Sequence, residues 1–128
     1  MLNRNLLIEI LNQLLNSTDV IRKRINPVKA PDDFLNNERN LERLDSLCMQ
    51  LIAIGESLKN IEKVAGKSFL KKYPEFEWKK AMGMRDIISH HYFDLNSEIV
   101  FQVCKDEIPK LKGTLKKIIK DFENENLA

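Results

Sequence analysis

The spacing of apolar residues between positions 41 and 64 restricts this chain's fold more than any other feature. Leu41, Leu44, Leu47, Cys48, Leu51, Ile54, Leu58, Ile61 and Val64 succeed one another at steps of three and four. An α-helix, turning about 100° per residue, brings such steps back to one face, whereas a strand needs alternation by two. The same spacing governs Leu6, Leu7, Ile10, Leu11, Leu14 and Leu15, and continues through Val20, Ile21 and Ile25 until Pro27. It returns near the end in Leu111, Leu115, Ile118, Ile119 and Phe122. Helices that each carry one apolar stripe must bury it against one another. The pattern therefore predicts an all-α, up-and-down helical bundle of about four to five helices, built as a single domain over residues 1–128. A chain of this length buries a core of ordinary size without metal or disulfide staples.

The connections can be read from the breakers. "NPVKAPDDFLNN" is marked by two prolines, and Asp32 and Asp33 can open a short helical turn around Phe34 and Leu35. The long helix should end near Gly66. Another is expected to begin with Pro74 at or near its first turn, turning Trp78, Ala81, Met82 and Met84 or Ile88 inward. Asp94 or Asn96 then caps a segment containing Ile99, Val100, Val103 and Cys104, which Pro109 breaks or kinks. Phe76 and Trp78 read as core. Gly55, inside the long helix, costs about 1 kcal/mol relative to alanine. Its presence in "IAIGES" predicts that another backbone crosses there closely.

Charge limits the function classes. The chain holds 21 basic and 19 acidic residues, a net +2, so there is no strongly basic footprint, and contact with a nucleic acid must rest on a local patch. The stretch Lys67, Lys71, Lys72, Lys79 and Lys80 is either such a patch or a solvated face. Cys48 and Cys104 lie too far apart for a metal knuckle and fall among apolar helical positions, which suits buried free thiols in a reducing cytosol. The start, "MLNRNLLIEILNQLL", lacks a signal-peptide pattern, and no run reaches the ~18 apolar residues of a membrane span. A cytoplasmic location without membrane association is expected.

Both histidines of the chain stand together in "MRDIISHHYF", residues 84–93. On a helix Arg85, Ser89 and Tyr92 share one stripe, while Asp86 and His90 share its neighbour. Asp86, four residues before His90, could accept from the imidazole and orient it. Arg85 and His90 stand about 140° apart on a straight helix. They converge on one phosphate only if the helix ends between them, bends, or meets a second copy. An arginine, a histidine and a tyrosine suit RNA cleavage by its own 2′-hydroxyl. The imidazole moves a proton at neutral pH, and guanidinium donors hold the phosphate and offset its developing charge. The same residues also suit a merely structural helix end, and the spacing alone leaves both readings open. A metal site is not expected: His90 and His91 point about 100° apart, and no spaced acid or cysteine set joins them. No cofactor is implied.

"RDIISHHY" resembles the R-x4-H-x-Y motif of the HepT-like toxins, which belong to the HEPN superfamily of small helical ribonucleases. "LIAIGES" is similar to that family's "IGEA" segment, "YPEFEWKKAMGMRD" to its "YPEIPWREIAGMRN", and "FDLNSEIVF" with "EIPKL" to the family's segment just after the motif. The likeness runs from about residue 50 to residue 111 and more loosely through the first helix. It implies a homodimeric, metal-independent endoribonuclease toxin whose two motifs face each other across a shared cleft. Arg85 and His90 would be its catalytic positions. It also implies an MntA-type nucleotidyltransferase antitoxin that transfers AMP to the motif tyrosine, here Tyr92. The family commonly has asparagine after the arginine; this chain has Asp86, which would either repel RNA phosphate or support His90. Glu56 could be a buried acid pairing with a motif residue, and His91 is either a solvent-facing neighbour or an auxiliary RNA contact. The other function class is a non-catalytic nucleotide- or partner-binding subunit of a nucleotidyltransferase complex.

Overall fold

Three asparagines open three of the helices, each accepting a backbone N–H that would otherwise lack a partner. Asn3 accepts from Leu6 at 3.0 Å at the head of α1 (Arg4–Ile25), and Asn37 from Asn40 at 2.8 Å at the head of α2 (Glu38–Ala65). Asn96 accepts from Glu98 at 2.9 Å ahead of α5 (Ser97–Gln102). Between them lie the one-turn α3 (Ser68–Lys71) and α4 (Trp78–His90). α5 passes through a π-helical turn, Val103–Glu107, into α6 (Ile108–Leu127). The computed structural model describes residues 3–90 and 96–127, with side chains to residue 125. Among these there is no strand, and no helix is long and apolar enough to cross a membrane.

The helices alternate in direction, as the apolar patterning predicts. Arg4 pairs with Glu125 at 3.2 Å and Asp19 with Lys112 at 2.8 Å, so α1 and α6 run antiparallel. Arg24, near the end of α1, donates to Ser46, near the start of α2. Leu11, Ile21, Leu47, Leu58, Leu115 and Ile118 meet fully buried in the centre, and Phe34, on the 3-10 turn Pro31–Leu35, closes one side. Asp33 secures that turn by accepting from the backbone N–H groups of Lys29 and Ala30. Cys48 and Cys104 are buried and free, and burial pushes their thiols up to about 11 and about 12.

One proline expectation is corrected and a second is met in another form. Pro74 does not open a helix: it lies exposed in the turn after α3, and α4 starts only at Trp78. Tyr73, Phe76 and Trp78 are all buried, and residues 76 and 78 on a helix would point about 200° apart. The chain therefore runs irregularly there. It is held by Tyr73 Oη donating to Asp121 at 2.8 Å, Trp78 Nε1 donating to the Tyr73 carbonyl at 2.8 Å, and Phe69 stacked on Phe122. These contacts fix on α6 the point where α4 begins. Pro109, where a break or kink was expected, follows an interruption of the α pattern by a π turn, and the helical path runs on. The proline occupies the second position of α6, and the π turn just before it takes up the ring and the missing N–H.

Gly55 marks the expected tight crossing. It is buried where α2 meets α4, and a Cβ there would lie 2.7 Å from the Cβ of Arg85 and 3.4 Å from the Ala81 carbonyl oxygen. No alanine fits without moving a helix, since 2.7 Å to another Cβ is inside van der Waals contact. Gly55→Ala should destabilise the protein by about 1–3 kcal/mol through overpacking, despite its better helix propensity. Thermal unfolding followed by circular dichroism would show the midpoint falling; a rise would mean that the crossing is loose enough to admit a methyl group.

Candidate active site

Arg85 lies on α4 directly over Gly55, so the tight crossing holds its backbone against α2 and its side chain must run out along the α2 surface. There it meets the next residue of α2, Glu56: Arg85 Nε stands 2.5 Å from Glu56 Oε1. Arg85 Nη1 donates to Asp86 Oδ1 at 2.8 Å, and Lys59, nearly one turn beyond Glu56, brings its ammonium within 3.8 Å of Asp86 Oδ2. Two cations and two carboxylates thus alternate across the α2–α4 seam. The group is half in solvent, the side chains of Arg85, Asp86 and Glu56 being 36%, 50% and 52% exposed. Such a pair stabilises the fold little and mainly orients the guanidinium.

The charges hold one another ionised. Arg85 is raised above its usual value, first by its hydrogen bond to Asp86 and then by the charge of Glu56. Asp86 lies below the usual carboxylate range, first through the hydrogen bond from Arg85 and then through Lys59. His90 adds only a weak long-range attraction to Asp86. The pairing along one stripe of α4 that would set Asp86 against His90 is thus replaced by pairing across to α2.

His90 is the last residue of α4 and is exposed. Between it and Arg85, Ile88 is fully buried and anchors the motif helix, while Ile87 and Ser89 face solvent. α4 is continuous from Trp78 to His90, so the helix does not end between Arg85 and His90. His91 and Tyr92 lie outside the described residues. Glu56 does pair with a motif residue, but from an exposed position rather than as a buried acid. Lys59 escaped the sequence reading, because apolar spacing on α4 says nothing of which α2 side chains stand opposite; its place three residues after Glu56 was the available signal. Among the described residues, no three or more histidine, cysteine or acidic side chains come together as a metal ion would require.

The guanidinium is flanked by carboxylates at Nε and Nη1 while Nη2 meets no acceptor among the described residues, and an exposed imidazole stands on the same helix. Groups of this kind can in chemical principle hold a phosphate and move a proton. Comparison with known proteins bears on the family. The family model described as "Ribonuclease HepT-like" matches residues 14–118. A Methanocaldococcus jannaschii protein, provisionally named an RNase, is 33% identical over 95 residues, spanning 74% of this chain and 73% of its own. A second from that organism, named in the same way, is 33% identical over 106 residues, spanning 74% of this chain and 83% of its own. A Thermococcus cleftensis protein provisionally named ribonuclease HepT is 36% identical over 67 residues, spanning 52% of this chain and 57% of its own. No solved structure matches the chain significantly. With the family pattern covering most of its length and a motif arginine and histidine on one exposed helix, the chain belongs to the HepT-like ribonuclease family.

Proposed function

We propose that this ribonuclease is a metal-independent endoribonuclease toxin that cuts RNA with Arg85 and His90, works as a homodimer and is silenced by AMP transfer to Tyr92. The observation that carries the reading is Arg85. Its Nη1 donates to Asp86, and its Nε stands against the Glu56 carboxylate as an ion pair with no aligned hydrogen bond. Nη2 meets no acceptor among the described residues, which leaves the Nη2 pair and the second Nη1 hydrogen for a bidentate grip on a phosphate. In the reaction His90 takes the proton of a ribose 2′-hydroxyl as that oxygen attacks the adjacent phosphorus. The 5′-oxygen leaves and takes up a proton, giving a 2′,3′-cyclic phosphate and a 5′-hydroxyl. Arg85 offsets the charge that grows on the phosphate oxygens. Ser89 and Asp86 flank the pair in supporting places, and His91 is offered as an auxiliary contact.

Because α4 continues unbroken through both residues, Arg85 and His90 point to different flanks of one helix. A second copy related by a two-fold axis would bring the His90 of one subunit toward the Arg85 of the other. The intact Arg85, His90 and Tyr92 set favours the nuclease over a purely non-catalytic, partner-binding subunit, which would not need it. In the silenced form, the Tyr92 hydroxyl attacks the α-phosphate of ATP on an MntA-type nucleotidyltransferase and pyrophosphate leaves. The attached phosphate then occupies Arg85 in place of RNA. Both partners would meet the enzyme in the cytoplasm.

The wild-type protein should cleave total RNA in EDTA and scatter light as a particle of about 30 kDa, twice the 15.0 kDa chain. Arg85→Ala and His90→Ala should keep that mass and the fold but lose at least about a hundredfold in cleavage. A His90→Ala protein within a few-fold of wild type, or an active monomer, would remove the shared general acid–base site.

Asp86→Asn should leave Arg85 its hydrogen-bond acceptor while deleting one negative charge. The expected result is a severalfold lower KM for RNA that is most evident at low salt. An increase in KM would mean that the carboxylate supports the site rather than opposing the substrate.

With its nucleotidyltransferase, ATP and magnesium, the protein should gain about 329 Da per AMP at Tyr92 and stop cleaving, since the added phosphate competes for the guanidinium. Tyr92→Phe, lacking the acceptor oxygen, should stay active under the same treatment. Silencing of that variant would leave occlusion by the partner as the better account.

A further inference from the structure

The cluster around Arg85 poses an electrostatic problem. Arg85 and Lys59 are balanced by Glu56 and Asp86, so the site carries no net charge with which to draw in a polyanion. The positive charge lies beside it. Residues 56–80 hold seven lysines and four glutamates, a surplus of three, whereas the whole chain nets +2 and the remainder therefore nets −1. Two of those four glutamates are already engaged, Glu56 with Arg85 and Glu75 with Lys117 at 2.8 Å.

The fold gathers most of these lysines around two surface depressions. Glu56, Lys59 and Lys63 recur at helical steps on α2 and border one surface depression with Ser57 and Asn60. At the end of α2 lies a second depression, bordered by Glu62, Lys67, Lys71, Pro74, Trp78 and Lys79. Glu62 borders one depression and Lys63 the other, and the two residues are consecutive on α2. Lys63, Lys67, Lys71 and Lys79 are exposed and make no ion pair among the described residues, in contrast to Lys112 and Lys117, which are tied to Asp19 and Glu75. Trp78 is 7% exposed and gives its Nε1–H to the Tyr73 carbonyl, so its ring offers no platform for a base.

We propose that Lys63, Lys67, Lys71 and Lys79 form a phosphate track leading from the Arg85 site across the end of α2 to the head of α4. It would hold the backbone of single-stranded RNA beside the cut. The inference rests on the nuclease reading and adds where the flanking strand lies and how it is held. With lysine ammonium groups and no exposed aromatic ring, the track reads charge and not sequence. It contributes affinity and salt dependence, while the chemistry stays with Arg85 and His90.

The test compares wild type with Lys63→Gln/Lys67→Gln/Lys71→Gln/Lys79→Gln on a single-stranded RNA of about 20 nucleotides, long enough to run along the track, and on a trinucleotide confined to the cut site. For the long RNA the variant should raise KM at least about tenfold at low salt with kcat within about twofold. Its slope of log KM against log salt should flatten by roughly 3, about 0.7 per lysine removed. Trinucleotide cleavage should be unchanged. A long-RNA KM and salt slope equal to wild type would overturn the proposal. So would an equal loss on both substrates, or a variant that loses only its hold on the nucleotidyltransferase. Binding of the long RNA to Arg85→Ala, with and without the four lysine changes, is read by fluorescence anisotropy. It keeps the two ideas separable: wild-type protein that cleaves no RNA removes the nuclease reading, while a lysine-dependent, salt-sensitive affinity still upholds the track.

Discussion

Everything at the motif depends on the absence of one methyl group, that of residue 55. Helices usually pack 8–10 Å apart, at a distance set by the side chains between them. At Gly55 there is no side chain, and the Cβ of Arg85 fills the place that one would take. This sets the position of α4 on α2, and with it the identity of the α2 residues that Arg85 meets. Glu56 is next to the glycine and Lys59 nearly a turn further, so the carboxylate and the ammonium that bracket the motif stand at fixed offsets from the crossing. Ile88, buried one turn along α4, keeps the helix from rolling away.

The bracket has two effects that pull in opposite directions. Carboxylates on both sides hold the guanidinium in one orientation, as the proposed grip on a phosphate would need. They also cancel its charge, which weakens long-range attraction for RNA. The chain separates the two tasks in space. Orientation is arranged at the α2–α4 seam, and surplus positive charge is carried beyond it by lysines that have no carboxylate partner among the described residues. An enzyme with an almost balanced composition can in this way act on a polyanion without being basic overall.

How far the sequence could be read depends on the range of the interaction concerned. The long helices were legible because apolar spacing is local and repeats over many turns, and the cap at Asn96 because capping is local too. Gly55 was legible as a crossing because a glycine inside a strongly periodic helix is destabilising unless something needs the room. Pro74 misled because the rule for proline in a first helical turn weighs nothing outside that turn. The burial of Tyr73, Phe76 and Trp78, with Tyr73 tied to α6 nearly fifty residues later, decided the local conformation. Pro109 was an equally local signal, answered by a π turn that no spacing announces.

By itself the sequence determined that this chain is helical, where its longest helices run, that one glycine admits a neighbour, and that an arginine and a histidine five residues apart belong to one helix. These features come from 3.6-residue periodicity and from the stereochemistry of single residues. Only the tertiary structure decided what Arg85 touches, that Glu56 is exposed, that Asp86 turns to Arg85 and Lys59, and that lysines of the α3 segment and α4 border one depression with α2. The physical reason is that charge pairing falls off within a few ångströms. Which charges come that close is settled by helix packing, and helix packing is driven by buried apolar surface in which the charged side chains take no part.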